Sequence, residues 1–202
     1  LMQALGQGLV LEPIFASAIL GTRAIVDGAN EDTCTRLLPS LVSGERRLSV
    51  AYAEEQARFD LDDVVTRITP QDDGYRISGR KSMVFHAQGS DYLVVSGRSY
   101  GGQTDRDGIT LLLVDAASEG VRMTSFPTVD GLRASEIEFE DVFVPKAHLL
   151  GAEGGGYSLL ESIAIDGILA LSAEAVGAME VLYKDTVSYT QEREQFDHPL
   201  SD

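Results

Sequence analysis

Across residues 134–144 apolar Ile137, Phe139, Val142 and Val144 are interleaved with Glu136, Glu138 and Glu140. A period of two is the pattern a half-buried strand requires. The same period governs the chain from Arg47 to Val144, where the pattern predicts strands at 48–53, 65–69, 75–80, 81–85, 92–98, 109–115, 121–126 and 134–139. Turn residues separate them at Asp72-Asp73-Gly74, Gln88-Gly89-Ser90, 101–108 and Glu119-Gly120. Short strands at near-even spacing, with no helical pattern between them, predict an antiparallel β-sandwich or barrel rather than βαβ units. The loop 99–108, rich in glycine and charge, is expected to be mobile.

On either side the period becomes helical. Residues 1–43 read as helices, with Glu12-Pro13 ending one and starting the next, a turn at 27–30, and a helix from Glu31 to Val42 closed by Ser43-Gly44. After the joint Gly154-Gly155-Gly156, residues 157–192 carry an apolar stripe too wide for a solvent-facing helix. Residues 1–43 supply only part of the helical layer it needs. The chain starts at Leu1-Met2-Gln3 within a pattern and stops at Ser201-Asp202 after a helix, as expected of a piece of a longer protein. The fold class is therefore α+β.

Charge and cysteine content narrow the partners. Lys and Arg total 16 against 32 Asp and Glu, and the net charge of -16 repels phosphate backbones and anionic lipid. Nucleic acid and membrane are not expected partners. No apolar run reaches the roughly 20 residues of a membrane span, and the single Cys34 excludes an intrachain disulfide and suits a reducing cytoplasm. His86, His148 and His198 are scattered, without metal-ligand spacing or a Gly-x-Ser-x-Gly turn. Gly154–Gly156 lacks both the dinucleotide fingerprint and a phosphate-loop lysine.

Four stretches together are more specific. They are Leu38-Pro39-Ser40-Leu41-Val42-Ser43-Gly44-Glu45, then Asp73-Gly74-Tyr75-Arg76-Ile77-Ser78-Gly79-Arg80-Lys81-Ser82, then Gly131-Leu132-Arg133-Ala134-Ser135 with Phe139-Glu140-Asp141-Val142-Phe143-Val144-Pro145, and the tail Glu192-Arg193-Glu194-Gln195-Phe196. In this order and spacing the chain resembles the acyl-CoA dehydrogenase family, across essentially all 202 residues. The resemblance implies the end of an N-terminal helical domain at 1–46, a middle β domain at 47–150, and the first helix of a C-terminal bundle at 151–202. It also implies FAD as cofactor, an acyl-CoA substrate, an electron-acceptor flavoprotein, and a homo- or hetero-oligomer of dehydrogenase subunits.

Carried over by position, the family's first flavin loop falls on Ala53-Glu54-Glu55-Gln56-Ala57-Arg58-Phe59-Asp60, where the usual threonine is Ala53. The resemblance implies that the backbone amides around Tyr52 and Ala53 meet the flavin's pyrimidine edge and that Glu54 is a further cofactor contact. The second flavin stretch, usually Trp-Ile-Thr-Asn, falls on Met83-Val84-Phe85-His86, and Phe85 cannot donate the threonine's hydrogen bond. On pattern alone Met83 and Phe85 are equally core residues. Arg193 matches an arginine that reaches a partner's FAD diphosphate, the alternative being a surface pair with Glu192 or Glu194. Phe59 and Asp166 are the expected substrate contacts, Asp166 lying one residue out of register with the family's Asp-x-x-Arg. Gly167 stands where some relatives carry a catalytic glutamate. No catalytic residue and no metal ligand is assigned, the base of most relatives lying beyond position 202. The departures resemble pimeloyl-CoA dehydrogenase small subunits, so a non-catalytic subunit supporting a catalytic partner is the alternative function.

Overall fold

The computed structural model describes residues 1–201 and orders them as helices, a large sheet, and a long helix. Met2–Gln7 forms α1, a π-helical stretch follows Pro13 over Ile14–Gly21, and Thr22–Gly28 (α2) and Glu31–Val42 (α3) complete the first helical group. Asn30 caps α3 by accepting the Thr33 amide at 2.9 Å, a capping bond that fixes the start of the helix. The strands are β1 (Leu48–Ala51), β2 (Arg67–Pro70), β3 (Gly74–Phe85), β4 (Tyr92–Arg98), β5 (Ile109–Asp115), β6 (Val121–Pro127), β7 (Arg133–Pro145) and β8 (Leu149–Leu150). Helix α4 runs over Gly156–Glu192, and a small hairpin of β9 (Glu194–Gln195) and β10 (His198–Pro199) ends the described chain.

The eight strands form one sheet in the order β6-β7-β3-β2-β4-β5-β8, with β1 beside β4. Two expectations change here. The predicted strands 75–80 and 81–85 are a single strand, β3, paired along its length with β7. The unit is not wholly antiparallel and the sheet does not close into a barrel, because β1 pairs with β4 in parallel, Leu48 opposite Tyr92 through Ala51 opposite Val95. Such a parallel pair needs a long crossover, and residues 52–91 provide one that passes through β2 and β3.

Strands β4 and β5 are buried on both faces, which explains their nearly unbroken apolar sequence. Leu93, Val95, Leu112 and Val114 join Ile77, Val84, Ile137, Phe139 and Val142 of β3 and β7 in one core. Val94, Leu111 and Leu113 meet Ala24, Ile25 and Leu37 of α2 and α3 on the other face, together with Leu160 and Ile163. The loop 99–108 is held rather than loose. Buried Arg98 donates to the carbonyls of Gln103, Asp105 and Asp107 at 2.7, 2.7 and 2.9 Å, and to that of Asp62 at 2.8 Å. A guanidinium fork saturated by carbonyls fixes the loop's course.

The described chain divides into two compact units, residues 13–166 and residues 1–12 with 167–201. Within the second, Gly6 lies against the Glu174 backbone and Gly177 against that of Gln3, so a side chain at either position would collide with main chain. Gln3 and Gln7 both donate to the Glu180 carboxylate at 2.8 Å. Ile168, Leu169, Met179, Leu182 and Tyr183 stay exposed there, as the wide stripe predicted.

Candidate functional site

Two segments meet at the end of β1. The Ser82 amide donates to the Ala53 carbonyl at 2.9 Å, which lays residues 52–54 beside residues 81–83. Below them Lys81 and Glu54 form a fully buried ion pair, with Nζ 2.7 Å from the carboxylate. Lys81 Nζ also donates to the Tyr52 carbonyl at 3.1 Å and to Ser96 Oγ at 2.9 Å. The Glu54 carboxylate accepts the amides of Val65 and Thr66 at 2.8 and 3.1 Å and the Gln56 side chain at 2.9 Å. Every donor of the lysine is occupied and both carboxylate oxygens are bonded, which is the condition for burying such a pair.

Burial pushes the Glu54 carboxyl up, but the Lys81 charge and hydrogen bond, with Val65 and Gln56, outweigh it and hold it below its ordinary value. Burial pushes the Lys81 ammonium down to about 8 despite the carboxylate beside it. The pair is therefore ionised at neutral pH, and it serves the loop rather than any exposed surface.

A bulge re-aims the strand above this pair. Between Lys81 and Val84, β3 advances three residues while its partner advances only from Ile137 to Ser135, so one residue is extra. Met83 takes a left-handed backbone, φ 51°. A bulge of this kind bends the strand and turns a side chain outward. Met83 and Phe85 are both part-exposed, Val84 between them is buried in the core, and Tyr52 is 39% exposed. Ser49 Oγ donates to the Phe85 carbonyl at 2.7 Å, tying β1 to the end of β3.

The residues singled out from sequence thus sort by position. Tyr52, Ala53, Glu54, Met83 and Phe85 come together, although Glu54 and Val84 are buried, with the Glu54 carboxylate bound inside to Lys81. Phe59, 95% exposed, projects from the far part of the same loop. Asp166 pairs with Arg23 at 3.3 Å, and Arg23 also holds Asp27 at 2.6 Å. Arg193 sits where α4 gives way to the β9–β10 hairpin and makes no ion pair among the described residues. Sequence reading treated Glu54 as a cofactor contact and did not single out Lys81. The signal was register: counting inward positions from Tyr75 and Ile77 places Gly79 and then Lys81 toward the core.

The amides of Ala53 and Glu54 make no hydrogen bond among the described residues. Paired free donors beside the part-exposed faces of Tyr52, Met83 and Phe85 suit a flat ring system with carbonyl acceptors on one edge. A flavin has that chemistry. No group of three His, Cys, Asp or Glu among the described residues is placed to hold a metal.

The model of the acyl-CoA dehydrogenase middle domain matches residues 49–142. Over 191 residues, 92% of its length, the chain is 29% identical to the 3-(aryl)acrylate reductase of Clostridium sporogenes, of which it spans 49%. It is 32% identical over 185 residues, 88% of its length, to an L-prolyl-[peptidyl-carrier protein] dehydrogenase of Pseudomonas fluorescens, spanning 48% of that protein. The butyryl-CoA dehydrogenase of Megasphaera elsdenii superposes with a TM-score of 0.92 over all of this chain and 54% of its own, at 24% identity. The chain has the acyl-CoA dehydrogenase fold and spans about half the length of the curated relatives it matches.

Proposed function

We propose that the chain is part of an FAD-dependent acyl-CoA dehydrogenase subunit, with residues 1–46 closing a helical domain, 47–150 forming the β domain and 151–202 opening a helical bundle. When bound, FAD would accept the hydride from the acyl β-carbon as a proton leaves the α-carbon. The observation that carries the reading is the junction of residues 52–54 with 81–85, where two unbonded amides border part-exposed apolar side chains. The Ala53 and Glu54 amides would orient the pyrimidine edge, while Met83 and Phe85 would cover a ring face and keep water from it. Arg193, which makes no ion pair among the described residues, would offer its guanidinium to the diphosphate of a neighbouring subunit's cofactor.

Exposed Phe59 would contact the acyl-CoA substrate. Asp166 is bound to Arg23, so its role toward substrate would be to hold Arg23. No residue of this chain is assigned as the base. Its departures from the family pattern would suit a subunit like the pimeloyl-CoA dehydrogenase small subunits, acting in a cytoplasmic oligomer that passes electrons to an acceptor flavoprotein.

One observation favours a second reading, a structural subunit that supports a catalytic partner: Phe85 has no hydrogen to donate at the position that calls for one. The intact gene product, co-expressed with any adjacent partner, should purify yellow and take up FAD on titration. A colourless protein with no uptake would reject the dehydrogenase reading. Under the second reading, Arg193→Ala lowers the partner's flavin content while Phe85→Thr changes nothing. Under the first, Phe85→Thr alters the flavin spectrum of this chain.

A further inference from the structure

The geometry points to Lys81 and Glu54 as positioning residues for the cofactor edge: a buried ion pair that sets the direction of the Ala53 and Glu54 amides without touching the ligand itself. The inference rests on the flavin reading above. It follows from where the bonds go.

Lys81 is on β3 and Glu54 follows β1, so the 2.7 Å bond between them joins the two segments that form the junction. The lysine's second bond, 3.1 Å to the Tyr52 carbonyl, matters most for direction. A peptide plane is rigid, so fixing the oxygen of Tyr52 also fixes the N–H of Ala53, which lies in the same plane on the opposite side. With its oxygen drawn inward to Lys81, the Ala53 amide faces outward. The Glu54 amide shares its plane with the Ala53 carbonyl, which accepts the Ser82 amide at 2.9 Å, while the Val65 and Thr66 amides hold the Glu54 carboxylate from the other side.

The bulge supplies the complementary half. The extra residue in β3 begins immediately after Lys81, so the side chain that anchors the loop and the one that turns outward, Met83, are two positions apart on one strand. A lysine that moves would shift both the amide edge and the ring-facing side chain. A neutral side chain of similar length at 81 would leave the Tyr52 carbonyl free to turn, and the Ala53 amide with it.

The test compares FAD affinity with stability in the intact protein. Lys81→Met and Glu54→Gln are set beside Val142→Ala, which thins the core opposite Ile77, several residues from the junction along β3. Fluorescence titration with FAD, the shape of the flavin absorption bands and thermal unfolding are read on each. Lys81→Met, while folded by circular dichroism, should bind FAD about tenfold more weakly with altered bands, the effect of losing one or two oriented hydrogen bonds. Val142→Ala should lose thermal stability while keeping wild-type affinity and bands. If Lys81→Met unfolds, the lysine-retaining Glu54→Gln carries the comparison and should show the same direction of change. Wild-type uptake of FAD with equal affinity in the folded Lys81 or Glu54 variant would overturn the positioning role alone. No uptake by the wild type would overturn both this and the flavin reading.

Discussion

Residues 13–166 and the helical segments 1–12 and 167–201 differ in where their side chains find partners. In the first, even charged groups are satisfied inside: Lys81 by a carboxylate, a carbonyl and a hydroxyl, Arg98 by backbone carbonyls. In the second, a short helix meets α4 through glycines and glutamines while large apolar side chains stand in solvent. The sheet unit carries its stability within itself. The helical segments are ordered by close backbone approach, and their apolar face is a surface still to be covered.

Breaking the sheet unit from inside should have the largest effect. Lys81→Met leaves the Glu54 carboxylate buried without its cation, and such a loss costs about 3–5 kcal/mol. The double variant Lys81→Met with Glu54→Gln removes both charges and should recover much of that loss in denaturant unfolding; a double variant no better than the single would show that packing, not charge, holds the site. The acid limb provides a second reading. Because the folded Glu54 carboxyl lies below its ordinary 4.5, the unfolded state binds more protons between the two values. The pair's stabilisation is fully present above that ordinary value and is lost as pH falls through the lower, folded one. Glu54→Gln should flatten that part of the stability profile.

The helical segments should respond to a smaller change. Gly177→Ala raises the intrinsic helix preference of α4 by about 1 kcal/mol in an isolated helix. Here the added methyl would strike the Gln3 backbone, and overpacking of this kind costs about 1–3 kcal/mol. Hydrogen exchange in α1 should therefore speed up although helix propensity has improved. Slower exchange would mean that α1 and α4 are not held by this contact.

Much of the contrast between the two units was legible in the sequence. The intervals 92–98 and 109–115 matched β4 and β5 because strands buried on both faces admit few polar residues, and turn residues mark their ends. The width of the apolar stripe identified α4 and its need for partners. The parallel pairing of β1 with β4 was not legible, since pairing partners 44 residues apart leave no local trace, nor was the continuity of β3 through a bulge at Ser82-Met83. At the site, the nearness of Ala53 and Met83 came from resemblance to a family. Glu54 was singled out there as a cofactor contact, and its pairing with Lys81 emerged only from the fold. Loop 99–108 was expected to be mobile for its glycines and charges, and Arg98, one residue earlier, reverses that by collecting its carbonyls.

The smallest effect should come from the hairpin after α4. Its two strands are joined by Phe196 and Asp197, with φ of 57° and 69°, the left-handed pair that a two-residue turn of this twist demands. Ordinary residues lose about 1–2 kcal/mol in that conformation, and aspartate less, because its short side chain tolerates it. Glycine at 197 would remove the remaining cost. Asp197→Gly should leave the unfolding of residues 13–166 unchanged and slow exchange of the Leu200 amide, which donates to the Arg193 carbonyl at 3.0 Å. Since that bond fixes the backbone from which the Arg193 side chain springs, faster exchange would show the hairpin to be held by something other than its turn, and Arg193 to be less fixed than its place at the helix end implies.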